Sequence, residues 1–285
     1  MLIDTHCHLD FPDFSEDLSD VIARAKAAGV EQLITIGTTL ESSRRAIELS
    51  EQYPEVYATV GVHPSNAMEA PADFVSSLRE MAAHPRVVGL GEMGLDYHKL
   101  PGSEKPDLEK QAATALLYSR TEDLETVVED GAIKSRQAEV FSAQLELAKE
   151  LGLPVVIHQR DCWEDILTQL APYDHQVPGV FHCFGGDATD AKLLAERGYL
   201  VSFTGIVTFK NAERARDAVA AVPDDGFMVE TDSPFLAPTP VRGKRCEPAY
   251  VVEVAKAIAE TRGVSPERIA ELTTATAQKF FKFPN

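Results

Sequence analysis

Thiols and cationic side chains are both scarce in this chain of 285 residues, and each shortage narrows what it does. The four cysteines, Cys7, Cys162, Cys183 and Cys246, are scattered and form no CxxC pair. That argues against a disulfide scaffold or a thiolate zinc site, and reduced thiols are expected. Lys and Arg number 27 against 45 Asp and Glu, a net charge of −18. Such a surface repels polyanions and argues against a groove-filling DNA binder. It leaves open an enzyme that grips one strand end with bound divalent metals and a few local cations. No stretch approaches the ~20 apolar residues a membrane span needs. The start of the chain shows no basic leader and no small-residue cleavage site, so no secretory signal is expected and the cytoplasm is the expected compartment.

Hydrophobic residues make up 44% of the chain, enough for a sizeable core. Eight short apolar, β-rich runs are predicted strands: 2–6, 32–37, 56–62, 87–91, 154–158, 179–182, 199–203 and 227–230. Amphipathic stretches alternate with them, at about 17–28, 40–52, 72–83, 137–151, 162–170, 189–197, 212–221 and 249–261. Alternating βα units predict a parallel sheet with right-handed crossovers, and eight of them predict an α/β fold of the (β/α)8 TIM barrel type. An open doubly wound sheet is the rival, but it usually carries a glycine-rich first turn, and His6-Cys7-His8 occupies that place. Ser265-Pro266-Glu267 predicts a further helix over 265–282, packed outside the barrel. One segment breaks the rhythm. About forty residues separate Tyr97 from Gln137, where such a loop typically has ~2–6. Residues 99–136 read as a partly helical insertion over one barrel mouth, or as a mobile surface excursion. The whole of 1–285 is expected to be one domain.

Catalytic groups of such barrels sit at the C-terminal ends of the strands. Those positions hold His6 and His8, His63, Glu92, His158, His182 and Asp232. Five of the eight histidines fall there, which scattered structural histidines would not do. Two imidazoles one residue apart at a strand end can converge on one point. Each residue also has a structural reading. His63 before Pro64 could cap a turn, His158 and His182 could be hydrogen-bonded core histidines, and Asp232 before Ser233-Pro234 could be a helix N-cap. Glu92, set among small and apolar residues, is costly there unless paired or metal-bound. Four histidines and two carboxylates suit two divalent ions bridged by one carboxylate, with zinc or manganese favoured by the imidazoles and magnesium also possible. No lysine lies on strand four, so a carbamylated-lysine bridge is unavailable and Glu92 must bridge.

Taken together, residues 4–10, 60–64, 91–97, 182–186 and 230–234 resemble the signatures of TatD-type metal-dependent deoxyribonucleases of the amidohydrolase superfamily. The resemblance implies that His6, His8 and Asp232 hold one metal and His158 and His182 the other, with Glu92 between them and His63 near the scissile phosphate. It implies 3′ to 5′ hydrolysis of DNA, single-stranded or at strand ends. The chain departs from that pattern at His158-Gln159-Arg160-Asp161-Cys162, at Cys246 where the family usually has Asn, and in the insertion. Asp232 is the expected proton acceptor, and His63 the expected donor to phosphoryl oxygens. Arg160, Lys210 and Arg245 are the expected backbone-binding cations, with solvated loop charges as the plain alternative. A hydrolase of amide, lactone or ester bonds with the same site is the rival function. A monomer is expected.

Overall fold

A computed structural model describes residues 1–103 and 122–284. Among these, eight strands lie in one parallel sheet in sequential order: β1 (Leu2–Cys7), β2 (Val30–Ile36), β3 (Val56–Val60), β4 (Val87–Asp96), β5 (Val155–Arg160), β6 (Gly179–Phe181), β7 (Leu200–Phe203) and β8 (Phe227–Val229). The seam between β8 and β1 is closed by the segment after β8. Ser233 bridges Cys7, the His8 amide donates to the Ser233 carbonyl at 2.8 Å, and the Asp232 amide donates to the His6 carbonyl at 2.9 Å. The result is the (β/α)8 TIM barrel that the alternation predicts.

Helices α1 (Leu18–Ala27), α2 (Leu40–Gln52), α3 (Phe74–Ala82), α4 (Glu122–Leu151), α5 (Trp163–Leu170), α6 (Ala188–Glu196), α7 (Glu213–Ala221), α8 (Val251–Arg262) and α9 (Pro266–Phe281) complete the described chain. Local chemistry sets several of their ends. Thr39 caps α2 by accepting from the Ser42 amide, and Asp187 and Asp190 form a reciprocal capping box on α6. Gly263, left-handed at φ 66°, stops α8, and Ser265 with Pro266 starts α9.

The core has two parts. The larger fills the space between the sheet and the helices, with Leu33, Phe141, Ile166 and Phe227 among its fully buried members. The smaller joins Ile3, Tyr57, Val88, Val156, Val180 and Met228. Each is the second residue of its strand, so together they mark the N-terminal mouth of the barrel. Phe280 and Phe281 from α9 fill that mouth, with Phe283 packed against them. This corrects the expectation that the tail packs only outside the barrel. Two further expectations change. The helix expected at 137–151 begins at Glu122, so the C-terminal part of the insertion continues the crossover helix α4. Residues 104–121 of the insertion expected to be partly helical over 99–136 lie outside the described residues. Strand four runs on to Asp96, past the predicted end at Gly91, which puts Glu92 within a strand.

Candidate metal centre

The C-terminal ends of five strands, β1, β3, β4, β5 and β6, and the segment after β8 supply the cluster. His6, at the end of β1, and His8 just beyond it turn their Nε2 atoms to within 3.3 Å of each other. Glu92 enters from β4, where the neighbouring glycines are needed. A Cβ on Gly91 (φ +144°) would sit 2.7 Å from the Val156 carbonyl, and one on Gly94 (φ +147°) 2.0 Å from that of His158. Only bare backbone lets β4 and β5 approach closely enough to set Glu92 against His158. Asp232 follows β8 in a left-handed conformation, φ 57°, which few side chains other than Asp and Asn adopt readily. No helix begins at Asp232, so the N-cap reading has no place. Asp4, fully buried, fixes this segment by accepting from the Thr231 amide at 2.9 Å and hydroxyl at 2.6 Å.

The geometry divides at Glu92. Its Oε2 lies 3.5 Å from His6 Nε2 and 4.0 Å from His8 Nε2, and Asp232 Oδ1 lies 3.6 and 3.3 Å from the same two nitrogens. Its Oε1 lies 2.7 Å from His158 Nδ1, 2.8 Å from His182 Nε2 and 3.4 Å from His63 Nε2. Donor atoms held ~2.0–2.2 Å from one ion in a tetrahedral site sit roughly 3.3 Å apart. The His6, His8 and Asp232 set is close to that spacing, the His158 and His182 set is drawn tighter, and both meet on the Glu92 carboxylate.

Electrostatics supports the same division. Burial pushes the Glu92 carboxyl up, but the His182 and His63 imidazoles outweigh it and hold it well below the usual range. Asp232 is likewise held low, burial being overcome by its bond to His8 and the charge on His6. His182 is driven the other way. Burial lowers it, yet Glu92 and Glu230 raise it well above its ordinary value. Burial keeps His63 low. A buried carboxylate has to be paired. Among the described residues, the ion pairs of Glu92 are all with histidines. The carboxylates that favour protons on these imidazoles would equally favour cations in their place. Among the described residues His6 Nδ1 and His8 Nδ1 are buried without a hydrogen-bond partner, so packing rather than a second hydrogen bond turns the Nε2 atoms of both rings toward the cluster. Residues of this kind fit divalent metals.

The structure brings together seven of the residues singled out from sequence: His6, His8, His63, Glu92, His158, His182 and Asp232. Arg160 is exposed and lines the cleft above them, which has a volume of about 1140 Å³. Two cations are placed elsewhere, correcting the expectation that they face this cleft. Lys210 lines a second cleft beside Lys256 and Glu260. Arg245 is tied to Asp17 at 2.7 Å and Glu247 at 2.9 Å, which leaves little of its guanidinium for a substrate. Two carboxylates outside the expected ligand set stand behind histidines of the cluster. Asp96 accepts from His158 Nε2 at 3.1 Å, which turns Nδ1 toward Glu92. Glu230 lies 3.4 Å from His182 Nδ1 and accepts from the Cys183 amide at 2.6 Å. Carboxylates behind ligand histidines set ring orientation and basicity. Their signal was position alone, since both stand at strand ends.

Comparison with known proteins gives a consistent picture. The family model described as TatD related DNase matches residues 3–282. An uncharacterized metal-dependent hydrolase of Bacillus subtilis, YabD, is 39% identical over 283 residues, covering 99% of both chains. A protein of Citrobacter rodentium named 3′-5′ ssDNA/RNA exonuclease TatD is 33% identical over 286 residues, covering 98% of this chain and 97% of its own. The crystal structure of YJJV, a TatD homologue from Escherichia coli, superposes with a TM-score of 0.82 at 28% identity, covering 99% and 98% of the two chains.

Proposed function

The chain belongs to the TatD-related DNase family and is a metal-dependent hydrolase, and from that premise we propose that it cleaves DNA phosphodiester bonds as a 3′ to 5′ exonuclease on single strands or strand ends. The observation that carries this reading is the division of Glu92 between two histidine sets beneath an open cleft. The cleft exceeds the ~300–1,000 Å³ of ordinary small-ligand sites, which favours a polymer end. The carboxylate surface favours the rival, a hydrolase of small amides, lactones or esters.

His6, His8, Glu92 and Asp232 would hold one ion, and His158, His182 and Glu92 the other. Two divalent ions supply a lowered water pKa and neutralisation of charge on a phosphoryl oxygen. The remaining work belongs to the side chains. Asp232, held ionised beside His8, accepts the proton of the attacking water. His63 Nδ1 accepts from the Ser65 amide at 3.1 Å, which in a neutral ring puts the proton on Nε2, the atom facing Glu92. From there it donates to a phosphoryl oxygen as negative charge grows. Arg160 meets the neighbouring backbone phosphates. We read the chain as a single domain acting as a monomer in the cytoplasm.

The test is a Glu92→Ala/Asp232→Ala double variant assayed on a single-stranded oligonucleotide with Mg²⁺, Mn²⁺ or Zn²⁺, with and without chelator. Cleavage should fall at least ~10³-fold while the circular dichroism spectrum is unchanged. Undiminished cleavage by the double variant overturns the assignment. A wild-type enzyme that ignores DNA but hydrolyses an ester or amide panel establishes the rival.

A further inference from the structure

One side chain beside the cluster has no part in the chemistry above. Phe235 is 50% exposed, although it lies three residues beyond Asp232 and lines the same cleft as His158, His182 and Asp232. A single exposed aromatic on a protein surface needs no explanation. This one differs in its place and its fixation. Its amide donates to the Asp232 carbonyl at 2.9 Å, so its backbone is held to the residue that completes one ligand set. Its ring stands nearly perpendicular to that of Phe11, with centroids 5.9 Å apart, and 6.3 Å from the His8 ring. Phe11 in turn stacks on His8 at 4.7 Å. The three rings form a continuous run from a metal-ligand imidazole out to solvent. The same cleft carries Lys99, Lys134 and Arg160 on the side built by β4, α4 and β5, and Arg214 on α7, interspersed with Asp161, Glu164, Asp165 and Asp190.

An exposed ring and local cations in one cleft are the elements by which proteins hold single-stranded nucleic acid: bases stack on rings while the backbone follows the positive charges. An acyl or lactone substrate makes no use of that pairing. We propose that Phe235 is the base-stacking platform of the site, packing against the nucleobase next to the phosphodiester presented to Glu92 and Asp232. Phe11 is a positioning residue, holding the Phe235 ring upright and the His8 ring in line. The proposal rests on the phosphodiesterase reading and adds a determinant of substrate class to it. It predicts a preference for single strands, because a base paired and stacked in a duplex cannot lie on the ring.

The test compares wild type, Phe235→Ala and Phe235→Tyr on a short single-stranded oligodeoxynucleotide and on the same backbone built of abasic tetrahydrofuran residues. Alanine should raise KM for DNA roughly 5- to 150-fold, the span of one base–aromatic stack, with a smaller change in kcat. Tyrosine should restore KM. Removing the bases should cost wild type a similar factor, and the two changes together should cost no more than either alone. A Phe235→Ala KM equal to wild type on DNA, or losses that multiply, overturns stacking while leaving the nuclease reading intact. Failure of wild type to cleave any oligonucleotide removes both.

Discussion

Asp96 accepts from His158 Nε2 at 3.1 Å and leaves Nδ1 for Glu92 at 2.7 Å, so a residue that touches no substrate decides which nitrogen faces the cluster. Replacing it with Asn keeps the shape but lets the ring settle in the wrong tautomer. Asp96→Asn should weaken divalent-metal affinity about 10- to 100-fold, read by competition with a chromogenic chelator, with little change in melting temperature. Unchanged affinity would show that packing alone orients His158. The seven clustered residues were legible because each follows an apolar strand run, and a polar residue just past such a run has few places to go in a barrel. Asp96 and Glu230 stood at the same positions, but their partners lie on other strands, His158 on β5 and His182 after β6, and register across strands is not written in local sequence. Arg245 misled for a related reason. A cation count says nothing of which carboxylate reaches it first, and here Asp17 and Glu247 do.

At the level of elements, the alternation of apolar runs and amphipathic stretches was enough to order the strands, because each βα unit has its own periodicity. What it could not place were elements whose role depends on the finished barrel. Helix α9 looks like any surface helix by its caps, yet its Phe281 is 3% exposed and joins the second residues of six strands. Phe281→Ala should therefore destabilise the protein by about 3–5 kcal/mol, measured by denaturant unfolding, since the barrel mouth cannot collapse around the cavity. A loss below about 1 kcal/mol would place the ring in a peripheral role. The extension of α4 back to Glu122 was hidden because Asp130 and Gly131 interrupt its apolar pattern. Gly102 nonetheless docks there, its amide donating to Asp130 at 3.1 Å.

Across the whole molecule, a net charge of −18 leaves carboxylates in excess, and several cations among the described residues serve as ties. Arg24 and Arg245 hold Asp17 and Glu247 in one network, joining α1 to the segment after β8. Burial raises the Glu247 carboxyl, but the two guanidiniums outweigh it and hold it below its usual range, while Arg245 and Arg24 pull Asp17 down to about 2. A depressed carboxyl contributes stability that is complete above its unfolded value, about 4.3 for Glu, and is lost as pH falls through the folded value. Melting temperature should thus decline below about pH 5, and Glu247→Gln should flatten that decline while lowering stability at pH 7. An unchanged acid slope would assign acid unfolding to other groups. The same two ends of the chain meet again where Ser233 bridges Cys7 and Asp232 joins His6. Synthesis delivers His6 and His8 first and Asp232 more than two hundred residues later. One half of the metal centre therefore cannot exist on a nascent or prematurely terminated chain. The candidate site is complete only once the last strand and Asp232 are in place, so a chain cut short before them lacks it.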